Sequence, residues 1–237
     1  CEFSGDAGNE RCPAALFVDG FADLELRDCL FNGFNFTAQV TGGATGVVED
    51  CIFVNSGHCG LTALRGAEIT VRRNLFAGSD YHGLRCTGGT LNAEDNLVIA
   101  NRNRGIYLGN RAAHGLVRNN AIIGNASGIS VFGGSDTEIR NNVILENSFV
   151  GIDARSFCPI TVEANILAGN DQGFIVWEEG NAPAAVKLGA NTFWENASND
   201  VANIDLPADA VLADPGLADA SSGDFTRPDP SGPGADH

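Results

Sequence analysis

A six-residue phrase returns eight times along this chain. It reads Leu-Arg-Asp-Cys29-Leu-Phe, Val-Glu-Asp-Cys51-Ile-Phe, Val-Arg-Arg-Asn74-Leu-Phe and Ala-Glu-Asp-Asn96-Leu-Val, then Val-Arg-Asn-Asn120-Ala-Ile, Ile-Arg-Asn-Asn142-Val-Ile, Val-Glu-Ala-Asn165-Ile-Leu and Leu-Gly-Ala-Asn191-Thr-Phe. The marked positions are separated by 22, 23, 22, 24, 22, 23 and 26 residues. A second phrase follows eight or nine residues after most of them: Gly60-Leu-Thr-Ala, Gly83-Leu-Arg-Cys, Gly105-Ile-Tyr-Leu, Gly128-Ile-Ser-Val, Gly151-Ile-Asp-Ala and Gly173-Phe-Ile-Val. Each is a short period-two alternation bounded by Gly and Asn, which is a strand signal with turns. Leucine-rich repeats share this period but need Leu-x-x-Leu-x-Leu frames and a helical piece in each repeat, and longer helical repeats do not fit it.

At about 3.3 Å per residue, such a period suits one coil of three short strands. Stacked coils lie about 4.8 Å apart, so equivalent side chains form ladders. Asn74, Asn96, Asn120, Asn142, Asn165 and Asn191 make one ladder, and Asn101, Asn125, Asn147, Asn170 and Asn196 a second. Asn tolerates left-handed backbone, and its amide can bond both backbone and the Asn of the next coil. Phe31, Phe53, Phe76, Val98, Ile122, Ile144, Leu167 and Phe193 are expected to fill the interior. These ladders are structural. The fold class is all-β, a parallel β-helix of about 22–24 residues per coil with eight to nine coils.

Composition agrees with a turn-rich β protein. There are 30 Gly and 23 Asn, one Lys (Lys187) and 43% hydrophobic residues, enough apolar material for a core. No run approaches the roughly 18 apolar residues of a membrane helix. The net charge of -16 argues against nucleic acid as a partner, because phosphate binding needs a basic face. Cys1-Glu-Phe-Ser-Gly5 has the form of Cys29-Leu-Phe-Asn-Gly33. The chain is therefore expected to begin inside a repeat, as a fragment or trimmed piece, in preference to a lipidated first residue.

On these phrases the sequence resembles the right-handed parallel β-helix proteins of the pectate-lyase-like superfamily, over about residues 25 to 200. The tail Ala213-Asp-Pro-Gly-Leu-Ala-Asp219, Gly223-Asp-Phe225 and Ser231-Gly-Pro233 is similar to the closing segment of such proteins. The expected organisation is a β-helix domain over 1–212 and an irregular, truncated segment over 213–237. With the acidic charge and the scarcity of Lys, the resemblance implies a secreted or cell-surface bacterial protein.

Seven Cys leave at least one unpaired within the chain. Cys1, Cys29 and Cys51 occupy the Asn slot, where a Cys29–Cys51 bridge and free buried thiols are both open. Cys59 and Cys86 fall on adjacent coils, and Cys12 and Cys158 in loops. No Cys/His pattern has zinc spacing, so no structural zinc is expected. No cofactor is predicted: acidic residues leave Ca2+ open, but no calcium-loop motif occurs.

In enzymes of the superfamily the substrate lies along one exposed parallel sheet, and the Gly-Ile-x-Val strands match it. Alternation points Leu61, Leu84, Ile106, Ile129 and Ile152 inward. The outward rows are then Gln39, Thr62, Arg85, Tyr107, Ser130, Asp153 and Ile175, and Leu64, Thr87, Gly109, Phe132, Arg155 and Trp177, with His58, Tyr81, His82, Asn103, Arg104 and Asp171 just before the strands. Tyr107, Phe132 and Trp177 offer flat faces for sugar rings, and Arg85, Arg104 and Arg155 can clamp carboxylates. His82 or Tyr81 is placed as a general base, with Arg85 stabilising an enolate-like intermediate of β-elimination. His58, Arg104, Tyr107, Asp153, Arg155 and Trp177 are placed as substrate-binding residues. An outward row without function also carries mixed polar residues, so the same set is compatible with no activity.

Residues 61 to 125 carry a local charge of +4, from eight Arg against Glu68, Asp80, Glu94 and Asp95, while the rest of the chain carries -20. Such a basic waist would focus an anionic polymer. The competing expectation is that Arg72, Arg73, Arg102, Arg111 and Arg118 face elsewhere and pair with acids on neighbouring coils. The phrases that mark pectate lyases and mannuronan epimerases are missing. Of the polygalacturonase phrases only Tyr81-His82-Gly83-Leu84 has a counterpart, without the paired carboxylates hydrolysis needs. Two readings stand: a protein that binds, or also cleaves by elimination, an acidic polysaccharide, and a non-catalytic surface rod whose coils supply length. Ice binding would want rows of Thr that are not present.

Overall fold

The computed structural model describes residues 1–5, 14–109, 114–133, 136–155, 157, 159–177 and 185–217. Within them the chain winds through three parallel sheets, two of nine strands and one of eight, with every strand paired to its equivalent in the neighbouring coils. The first sheet holds three-residue strands such as Leu30–Asn32, Ile52–Val54 and Leu75–Ala77. The second holds the Gly-Ile-x-Val strands, including Cys59–Leu64, His82–Thr87, Arg104–Gly109, Ser127–Val131, Val150–Arg155 and Gln172–Trp177. The third holds strands such as Thr45–Glu49, Glu68–Arg72 and Thr90–Glu94. Among the described residues no helix is long and apolar enough to cross a membrane. Of the expected closing segment, residues 218–237 lie outside the described residues.

The register brings the predicted interior column together, with Phe31 opposite Phe53, Phe53 opposite Phe76 and Phe76 opposite Val98. Phe31, Phe53 and Phe76 are fully buried and stack with ring centroids 5.1 and 4.7 Å apart. Each such ring removed from water contributes roughly 1.5–3 kcal/mol. Leu61, Leu84, Ile106, Ile129 and Ile152 are buried as expected.

Both Asn ladders form. The Nδ2 of Asn74 donates to Oδ1 of Asn96, and Asn96, Asn120, Asn142 and Asn165 repeat the step at 2.9 to 3.0 Å. The second ladder runs from Asn101 through Asn125, Asn147 and Asn170 to Asn196. One expectation needs correction: the left-handed residue is not the ladder Asn but the one before it, as in Arg73 (φ 56), Asp95 (φ 54), Asn119 (φ 57) and Ala100 (φ 53). That residue makes the bend. The Asn that follows is then free to turn its amide inward, where Nδ2 also reaches carbonyls such as Val48 O and Arg72 O. Cys51 fills the same slot: its thiol donates to Glu49 O at 3.2 Å, and its backbone N–H donates to Asn74 Oδ1.

The glycine near the start of six strands of the second sheet, Gly60, Gly83, Gly105, Gly128, Gly151 and Gly173, is required by close approach. A Cβ on Gly83 would lie 2.9 Å from Gly105 O, and one on Gly105 would lie 2.8 Å from Gly128 O. At these coils the corner leaves no room for a side chain.

Cys1, Cys29, Cys51, Cys59 and Cys86 are free thiols, so the Cys29–Cys51 bridge is not formed; Cys12 and Cys158 lie outside the described residues. Arginines of the basic waist are largely paired. Glu49, its side chain fully buried, receives Arg27, Arg72 and Arg73. Arg73 also pairs with Asp50, Arg102 with Asp80 and Arg118 with Glu94. Arg111 lies outside the described residues.

Candidate functional site

The outward face of the second sheet follows the predicted rows. Gln39 stands opposite Thr62, Thr62 opposite Arg85, Arg85 opposite Tyr107, Tyr107 opposite Ser130, and Ser130 opposite Asp153. A second column, at the start of the strands, sets Cys59 opposite His82 and Arg104 opposite Ser127. His82 of this column, though buried, packs against Tyr107 of the outward row.

His58, Tyr81, His82 and Tyr107 form a run of rings along the solenoid. Centroids are 4.7 Å apart from His58 to Tyr81, 4.0 Å from Tyr81 to His82 and 5.0 Å from His82 to Tyr107, the last pair stacked. Phe36 extends the run at one end, 4.3 Å from His58, and Phe132 at the other, 6.1 Å from Tyr107 and edge-on. Two guanidiniums cover Phe132: Arg104 at 4.9 Å and Arg155 at 4.6 Å from the ring centroid. Arg104 also lies over Tyr107 at 5.2 Å. Planar cations favour the negative face of an aromatic ring.

Hydrogen bonds join this run to the next coils. Arg104 Nε donates to Ser130 Oγ at 2.9 Å, and Arg104 Nη1 to Asn103 Oδ1 at 3.1 Å. Ser130 Oγ in turn donates to Asp153 Oδ1, and Trp177 Nε1 donates to Asp153 Oδ2 at 2.9 Å. Although they belong to an outward row, Thr62, Ser130 and Asp153 are 1%, 0% and 2% exposed. Burial pushes the Asp153 carboxyl above the usual range, while Ser130, Trp177 and the Arg104 and Arg155 charges oppose that rise.

His82 is 1% exposed, and its Nδ1 accepts the Arg104 backbone N–H at 3.3 Å, which assigns its proton to Nε2. Burial first, then the charges of Arg104 and Arg85, push its pKa down to about 3. His58 is lowered by burial and by Arg85. Its Nδ1 lies 2.9 Å from Cys59 Sγ, a thiol that burial raises. Arg85 keeps a buried Nε with no hydrogen-bond partner.

All nine sequence-predicted residues thus lie on one face. Tyr81, His82, Arg85, Arg104 and Tyr107 are gathered on adjacent coils, and Asp153, Arg155 and Trp177 are joined to them through Arg104 and Phe132. Ser130, which links the two groups, was visible only as a small residue in the outward row. Among the described residues no group of three or more His, Cys, Asp and Glu is placed to hold a metal ion. Two surface clefts of about 670 and 680 Å3 lie elsewhere. One is on the third sheet beside Asp23 and Glu68, the other at the corner beside Asn142, Glu163 and Asp209. They are shallow, and neither is lined by an aromatic ring.

A family model for the right-handed β-helix region matches residues 1–136 and 95–205. The chain belongs to that family, and its solenoid is a right-handed parallel β-helix. No curated protein matches the sequence.

Proposed function

We propose that this chain is an extracellular protein that binds an acidic polysaccharide along the outward face of its second sheet. The observation that carries this reading is the surplus of positive charge there. Arg85 and Arg104 share the face with a single described carboxylate, Asp153, on their columns. Among the described residues neither Arg85 nor Arg104 makes an ion pair with an acid, whereas Arg72, Arg73, Arg102 and Arg118 each do. A half-buried cationic cluster beside apolar rings suits a ligand that alternates carboxylates with sugar-ring faces. Half-exposed Trp177 and Tyr81, at the exposed rim of the run, supply those platforms, whereas Tyr107 and Phe132 are already covered by His82, Arg104 and Arg155.

Affinity electrophoresis through gels containing polygalacturonate or alginate tests the reading, with dextran as the neutral control. The wild-type chain is expected to be retarded by the uronate polymers alone, and Arg85→Ala combined with Arg155→Ala to weaken retention by about tenfold or more. Absorbance of unsaturated products in the same mixtures reports whether binding is followed by β-elimination. Equal mobility in all gels sinks the sugar reading and leaves a rod that supplies length.

A further inference from the structure

Arg104 is held at several points on this face. Two of the five N–H donors of its guanidinium are engaged, Nε by Ser130 and Nη1 by Asn103, and its plane is held over Tyr107 and Phe132. Three donors remain, all at the Nη end. A guanidinium anchored through Nε can meet a carboxylate only end-on, which narrows the ligand orientations it accepts.

The anchor has a direction. Ser130 Oγ accepts from Arg104 Nε and donates to Asp153 Oδ1, so the guanidinium is tied through one hydroxyl to a buried carboxyl. The second oxygen of Asp153 takes the Trp177 indole N–H. Ser130 and Asp153 are too buried to touch a polymer lying on the surface. Trp177 is half-exposed and borders the same site.

We propose that Ser130 and Asp153 are positioning residues that fix Arg104 end-on and the Trp177 indole in one orientation, and so set the specificity of the face for a carboxylate borne beside a sugar ring. This rests on the polysaccharide-binding reading above. It differs from the sequence expectation in giving Asp153 no direct contact with ligand.

A double-mutant cycle on polygalacturonate affinity tests it, with thermal melting as the check on folding. Ser130→Ala is expected to weaken binding about tenfold or more in the wild-type background, the loss typical of a hydrogen bond to a charged group. In an Arg104→Ala background the same change is expected to alter affinity by less than about twofold, because nothing remains to be positioned. A purely structural role for Ser130 would give the same loss in both backgrounds, and that result overturns the proposal. So does unaltered affinity for Ser130→Ala in an otherwise wild-type chain. Should Ser130→Ala lower the melting temperature, Asp153→Asn, which keeps the side-chain shape, is run through the same cycle with the same expectations. Absence of wild-type binding to any uronate polymer overturns the parent reading and this one with it, and is distinguished by the wild-type arm alone.

Discussion

His82 shows how a single side chain records the field of its surroundings. It is buried against Tyr81 and Tyr107 and flanked by Arg85 and Arg104, and these neighbours hold it neutral. In the unfolded chain it titrates near pH 6.5, and in the folded chain near 3. Above 6.5 neither state is protonated and His82 costs nothing. As pH falls from 6.5 toward about 3 the unfolded chain takes up a proton that the folded chain refuses, so stability is lost across that window and levels off below it. The loss has an upper bound of about 1.4 kcal/mol per pH unit from this group. Lowered His58 acts in the same direction, and raised Asp153 opposes both by binding its proton more tightly when folded. Comparing wild type with His82→Gln therefore isolates the contribution. Urea midpoints measured from pH 7 to pH 4 are expected to fall less steeply for the variant. Parallel slopes would mean that His82 is protonated in the folded state.

At the scale of the strand and corner, stability is carried by repetition. Asn142 illustrates the unit: its Nδ2 donates to Val117 O, Arg140 O and Asn165 Oδ1, and its Oδ1 accepts both the backbone N–H and the amide of Asn120. Asn142→Ala strands several buried groups at once and is expected to cost about 4 kcal/mol, read from denaturant unfolding. Asn191, at the far end of the ladder, takes Asn165 on Oδ1 but passes its amide only to backbone carbonyls, Val162 O and Gly189 O. Its substitution by Ala is expected to cost less. Equal losses would show that the ladder does not act as a coupled row.

These corners and the inward rows were legible in the sequence because each depends on local alternation and on a residue type repeated at one period. The site was only partly legible. Rows were assigned correctly from period two, but period two cannot see that Arg104 and Trp177 reach over neighbouring coils and bond Ser130 and Asp153. The column of Arg27, Glu49, Arg72, Glu94 and Arg118 on the third sheet was legible as the second position of the repeated phrase, and the structure adds the register that sets opposite charges side by side. That register joins residues more than twenty positions apart and exists only once the coils are stacked.

For the whole molecule, the proposed ligand and the protein carry charge of the same sign. The chain has a net charge of -16, and its cationic face is a local exception. Eight coils at about 4.8 Å make a body roughly 40 Å long. At 10 mM salt the screening length is about 30 Å, so an approaching polyanion meets the repulsion of nearly the whole molecule. At 100 mM it is about 10 Å, and only Arg85, Arg104, Arg155 and their neighbours are felt at close range. Association with immobilised polygalacturonate is therefore expected to become faster between 10 and 100 mM salt, as the repulsion of the acidic body is screened. Further salt weakens the arginine–carboxylate contacts themselves and speeds dissociation. Affinity should pass through a maximum, a pattern that surface plasmon resonance resolves into its two rates. A steady decline from the lowest salt upward would mean that the acidic body does not oppose the encounter, and that a broader basic surface than this face receives the polymer.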